Sequence, residues 1–125
     1  MLREAIVSQE LAPPIGPFSG VVRAGELLFI SGQIGEDSAT GKLIAADVTA
    51  QIEQVFVNIR AVLRAAGKTL ADVVRGGVNI RDMKDFARMN AVYARQFDAP
   101  YAARTSIAVA ALPMGAAVEI DLVAR

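Results

Sequence analysis

Between Val48 and Leu63 the apolar residues Val48, Ile52, Val55, Phe56, Ile59, Val62 and Leu63 recur at steps of three and four. That spacing gathers side chains into one stripe of an α-helix. Asp47 stands where a carboxylate can accept from the free amides of a first turn, and Gly67 where the helix can close. Gln51, Glu53, Gln54, Asn58, Arg60 and Arg64 take the opposite, solvated face. One stripe means that this helix covers a sheet on one side only. Asp82 is placed to cap a second helix whose buried stripe is Phe86, Met89, Tyr93 and Phe97, with Lys84, Asp85, Arg88 and Arg95 in solvent. Asn90 lies within it, either exposed or bonding across to a loop.

The rest of the chain is patterned as strands and turns. Ile6-Val7 forms a short first strand, and the three prolines between Leu11 and Pro17 make the following stretch an ordered loop. Residues 19–23 and 26–31 pair as a hairpin around Ala24-Gly25; the second arm, apolar on both faces, belongs mid-sheet or at an interface. Gly32 and Gly35 end that arm and permit close backbone approach or positive φ, and residues 36–42 read as a surface loop. Thr69 to Asp72 forms a capped turn, and residues 73–81 return to strand with a bulge at Gly76-Gly77. Strand, hairpin, helix, strand, helix, strand, strand is an α+β order: a mixed sheet with both helices on one face, in one domain spanning residues 1–125.

The last two strands carry the candidate chemistry. Residues 104–110 and 118–123, joined by a Leu112-Pro113-Met114-Gly115 bend, read as neighbours. Alternation sets Arg104, Ser106 and Ala108 on one face, and the apolar series Val118, Ile120 and Leu122 sets Glu119 and Asp121 opposite to itself. A guanidinium and a carboxylate are therefore expected to face a common space. Two readings follow: a structural ion pair, in which desolvation offsets most of the attraction, or the two ends of a small-ligand site in which the planar Arg fork takes a carboxylate.

Composition narrows the chemistry. Lys and Arg number 13, Asp and Glu 13, with no run of like charge, so the footprint of a nucleic-acid or anionic-membrane binder is missing. Cys and His are both absent, which removes thiol nucleophiles, imidazole bases and the usual zinc sites. No metal or cofactor is called for, and no apolar stretch approaches a membrane span, so a cytoplasmic home is expected. The residues are 54% hydrophobic, with mean hydropathy +0.40, high enough to predict that some surface is buried between subunits. The face left free by the helices is expected to bring Ser106, Ala108, Ala110 and Val123 together with residues of the 27–30 strand.

The Ala-Ala-Arg-Thr-Ser-Ile segment at residues 102–107 and the Val118-Glu119-Ile120 segment resemble the signature of the Rid/YjgF enamine and imine deaminases. So do Ile15-Gly16-Pro17-Phe18, Ser31-Gly32-Gln33-Ile34, Ala65-Ala66-Gly67 and Asn90-Ala91-Val92-Tyr93. The resemblance implies a chorismate-mutase-like homotrimer with sites between subunits. It implies hydrolysis of 2-imino acids to 2-oxo acids and ammonia, with Arg104 binding the substrate carboxylate, Glu119 activating water, and Gly32, Ser106, Phe18 and Asn90 lining the substrate. Phe18 stands where these deaminases commonly carry Tyr, Ser106 where Cys is frequent and Ala102 where Pro is frequent. Loss of the Tyr hydroxyl keeps an alternative open: a non-catalytic trimer that binds a small carboxylate as a regulatory module. The ribonuclease or translation-inhibitor activity attached to some family members finds no His, metal cluster or basic surface to support it.

Overall fold

The computed structural model describes residues 2–125. Its strands are β1 (Glu4–Ile6), β2 (Val21–Ala24), β3 (Leu27–Gln33), β4 (Glu36–Asp37), β5 (Lys42–Leu43), β6 (Val73–Ile80), β7 (Ala103–Ala108) and β8 (Val118–Ala124). The helices are α1 (Val48–Ala65) and α2 (Phe86–Gln96). Six strands form one mixed sheet in the order β1-β2-β3-β8-β6-β7, in which β6 and β7 run parallel and the other pairs antiparallel. The short β4–β5 ribbon occupies the segment expected as a surface loop.

α1 follows its pattern closely. Asp47 accepts from the Ala50 amide at 3.0 Å, Gly67 turns the chain at φ 73°, and Ile52, Val55, Phe56, Ile59, Val62 and Leu63 are all buried. With Met89, Val92 and Tyr93 of α2, they pack on one side of the sheet against Leu28, Ile30, Val78, Ile80, Ile120 and Leu122. Both helices thus share a face. Gln51 and Asn58 depart from expectation, because both are buried rather than solvated. Gln51 donates to the Ala45 carbonyl and accepts from the Ala117 amide, both at 2.9 Å. Asn58 donates to the Ile34 and Glu36 carbonyls at 3.2 and 2.9 Å and accepts from Gln54. Periodicity reads them as surface, but loops fold over them, and buried amides are tolerated when every group is bonded.

The largest topological difference lies at the C-terminus. β7 and β8 are not neighbours; β6 lies between them. The connecting segment is tied to the end of β6 on both sides, with the Val109 amide donating to Ile80 and the Arg81 amide to Ala117, at 2.9 and 3.0 Å. The Pro113–Gly115 turn therefore steps across the end of β6 rather than reversing a hairpin. β8 is inserted between β3 and β6, where Val118, Ile120, Leu122 and Ala124 are each no more than 2% exposed. β7 is left as an edge strand.

Other elements shift less. Asp82 caps a single 3-10 turn, Met83–Asp85, and α2 begins after it at Phe86; Phe97 falls one residue beyond the helix. Thr69 and Asp72 make the expected capped turn as a reciprocal pair. The β6 bulge lies between Val73 and Arg75, not at Gly76-Gly77, which keep regular register with Arg104 and Thr105.

Candidate active site

Register decides which side of the sheet each candidate occupies. Arg104 pairs with Gly76, which pairs with Leu122, so Arg104 lies on the helix-covered side. Ser106 follows, through Val78 and Ile120. Glu119 pairs with Asn79 and lies on the opposite, open side, as does Asp121. The expected common space therefore does not exist within one chain. The ion-pair reading fails with it: among the described residues neither Arg104 nor Glu119 has an opposite charge within 4.0 Å. The face assignment of Ser106 and Ala108 is corrected too, since register puts both with the helices. Val123 and Phe29 do share the open side, where Phe29 and Ile107 are each about half exposed.

Arg104 is held by α2. Its Nη2 donates to Asn90 Oδ1 at 2.7 Å, and Nη1 lies 3.8 Å from the Met89 sulfur. The guanidinium carbon stands 4.8 Å from the Tyr93 ring centroid and 5.7 Å from that of Phe86. Asn90 thus reaches a strand rather than a loop, and it touches Arg104. The result is a cation oriented by a short hydrogen bond to Asn90, a long one to the Met89 sulfur and two ring faces, with no carboxylate among the described residues engaging its N–H groups. Ser106 Oγ, two residues along the same side, is buried with no hydrogen-bond partner among the described residues.

Glu119 is placed by a glycine. A Cβ built on Gly32 would stand 2.6 Å from Glu119 Cδ and 2.8 Å from Oε2, so only a bare Cα lets the carboxyl lie there. Gly35 has the same use toward α1, where a Cβ would meet the Gln51 backbone at 2.8 Å. Close approach, and not positive φ, explains both glycines. Asp121 packs over Gly77 in the same manner and lies 3.5 Å from Arg75 Nη1.

Phe18 and Gly32 meet elsewhere. Both line a cavity of about 520 Å³ under the N-terminal loop, walled also by Leu11, Pro13, Ser31 and Gln33. Arg104, Asn90, Ser106 and Glu119 do not line it. The six candidates thus do not converge in one chain: Arg104, Asn90 and Ser106 lie by the edge strand on the helix-covered side, Glu119 lies over Gly32 on the open side, and Phe18 shares with Gly32 a cavity that Asn58 and Val62 of α1 also line. Tyr93 and Phe86 were legible only as core residues of a helix. Their use against Arg104 depends on which way an edge-strand side chain turns, and no local pattern encodes that.

Tyr93 carries the one perturbed group in this cluster: burial raises its phenol above the ordinary value, and the Arg104 cation pulls it partly back.

Comparison with known proteins places the chain. Residues 9–125 match the family model described as endoribonuclease L-PSP. A protein of Dermatophagoides farinae named 2-iminobutanoate/2-iminopropanoate deaminase is 38% identical over 122 residues, 97% of this chain and 95% of that one. Other relatives carry only the name RutC family protein. The crystal structure of RidA from the Antarctic bacterium Psychrobacter sp. PAMC 21119 superposes with a TM-score of 0.92 at 40% identity, covering 97% of this chain and 98% of that one. The structure of E. coli TdcF with bound serine gives 0.91 at 36% identity, covering 97% of each. Imine deaminases are thus named among its relatives, and the chain belongs to the endoribonuclease L-PSP family, the Rid/YjgF group that its sequence motifs resemble.

Proposed function

We propose that this protein hydrolyses 2-imino and enamine acids to 2-oxo acids and ammonia, in sites closed between copies of the chain in a homotrimer. The observation that carries the reading is the division of the site. Each chain holds an oriented, uncompensated guanidinium beside its β7 edge and an uncompensated carboxylate over Gly32 on its open face. Two different half-sites on one chain are complementary to each other across a heterologous interface, and repetition of such an interface closes a ring when its rotation returns to the start. Leu27, Phe29 and Ile107, exposed on or beside the open face, are the surface that such packing removes from water. The number three comes from the family resemblance.

In the assembled site Arg104 takes the substrate carboxylate through two parallel hydrogen bonds. The protonated C=N carbon is already electrophilic. Glu119 accepts a proton from water as its oxygen attacks C2 and returns it to the nitrogen of the resulting carbinolamine; the C–N bond then breaks, ammonia leaves, and the hydroxyl proton passes to Glu119 and on to ammonia as the C=O forms. No covalent enzyme intermediate is needed; placement and one carboxylate base supply the rate.

The competing reading, a carboxylate-binding module without turnover, is favoured by Phe18, which keeps the ring but supplies no hydroxyl. The deciding assay generates an imino acid in situ with an amino-acid oxidase and follows 2-oxo acid and ammonia against the spontaneous rate. Acceleration that disappears in Arg104→Ala supports the deaminase. No acceleration by the unmodified protein, with binding of 2-oxobutanoate retained, supports the module, and recovery in Phe18→Tyr assigns the difference to that hydroxyl.

A further inference from the structure

Tyr93 reaches Arg104 from the core. Its ring packs on Phe97 at 4.9 Å and edge-on to Phe56 at 5.6 Å, and Phe56 belongs to the buried stripe of α1. Its other neighbour is the guanidinium, 4.8 Å from the ring centroid. Beneath the phenol lies Gly76, the β6 residue paired with Arg104 itself. A Cβ there would stand 2.5 Å from Tyr93 Oη and 3.3 Å from Leu122, so the ring can occupy this position only over a glycine. The phenol oxygen is buried and has no hydrogen-bond partner among the described residues, so the ring face, not the hydroxyl, is what this residue presents to Arg104.

We infer that Tyr93 is a positioning residue for Arg104, and that Gly76 belongs to the same device because it leaves the space in which the ring stacks. The inference rests on the deaminase reading, in which Arg104 binds the substrate carboxylate. Asn90 fixes one edge of the guanidinium by a hydrogen bond, and the Tyr93 face fixes the tilt of its plane. A planar fork meets both carboxylate oxygens only if that tilt is right. Without the ring the guanidinium keeps only its Asn90 bond, the long Nη1 contact to the Met89 sulfur and the more distant Phe86 ring, and part of the binding is lost to reordering its plane. Since the carboxylate is bound alike in ground and transition states, the loss falls on KM and not on kcat.

The test measures kcat and KM for imine hydrolysis, and binding of 2-oxobutanoate by calorimetry, in the full-length protein and in Arg104→Ala, Tyr93→Phe, Tyr93→Leu, Gly76→Ala and the double variant Gly76→Ala/Tyr93→Phe. Tyr93→Leu is expected to raise KM about five- to tenfold with kcat within about threefold, the range for loss of a partly desolvated cation–π contact. Tyr93→Phe keeps the ring and holds KM within about twofold. Gly76→Ala displaces the phenol and raises KM, and removing the hydroxyl in the double variant recovers at least part of it. A folded Tyr93→Leu with unchanged KM overturns the inference. If that variant does not fold, Gly76→Ala with unchanged KM, or a double variant showing no recovery, overturns it. Arg104→Ala separates the two levels: loss of binding there with a normal Tyr93→Leu sinks only the positioning role, whereas normal binding in Arg104→Ala sinks the deaminase reading as well.

Discussion

Adding one methyl group at Gly32 tests whether Glu119 is the base. The Cβ of Gly32→Ala would fall 2.6 Å from Glu119 Cδ, so the carboxyl must retreat by about 0.8 Å to reach ordinary van der Waals contact. Glu119 is half-buried on the open face and can turn about its own bonds, so the fold need not yield. The rotamer shift costs about 0.5–1.5 kcal/mol, and replacing a strand glycine by alanine returns about 0.5–1 kcal/mol. Unfolding stability should therefore change by less than about 1 kcal/mol. Catalysis has less latitude, because a displacement near 1 Å costs on the order of 10²-fold in rate, equivalent to about 2.7 kcal/mol of barrier. The substrate carboxylate is held by Arg104 and not by Glu119, so KM should hold while kcat falls. The assay is steady-state imine hydrolysis alongside urea unfolding and light scattering. A folded, correctly assembled Gly32→Ala with unaltered kcat would refute the placement of the base at Glu119.

Three further outcomes follow from the same geometry. A charge on the open face, as Phe29→Glu or Ile107→Glu, should yield a folded but dissociated and inactive chain by light scattering and assay; an intact oligomer with either would move the interface elsewhere. Alkali should weaken the fold through Tyr93: its folded pKa is raised, so the stability it contributes is complete below the unfolded value of about 10 and is lost as pH climbs from there through the folded value. Urea unfolding between pH 8 and 11 should show a slope that shrinks in Tyr93→Phe, and identical slopes would contradict the burial effect. Ile59→Ala, at a fully buried position of the α1 stripe, should cost about 2–5 kcal/mol in the same measurement, and a cost below 1 would mean that the stripe is not the core.

The sequence by itself determined the two helices and the principal strands, because each rests on a local rule, though not the β4–β5 ribbon in a stretch that reads as loop. The step of α1, its Asp47 cap and its Gly67 terminator lie within twenty-one residues and need nothing distant, and the faces of β8 follow from alternation alone. Family membership was legible in short motifs for the same reason. Gln51 and Asn58 were misread because a polar side chain in a helix looks solvated until a loop closes over it. The placement of β6 between β7 and β8 was decided by hydrogen bonds that join Ile80 to Val109 and Arg81 to Ala117, 29 and 36 residues later, and the bend between Val109 and Ala117 carries no sign of them. That one insertion sets which side of the sheet Arg104 faces, so it separates Arg104 from Glu119, and it brings Gly76 under Tyr93. Periodicity assigns a residue to one of two faces of its own strand; which of those faces meets which face of another strand is settled only when the register of the whole sheet is formed.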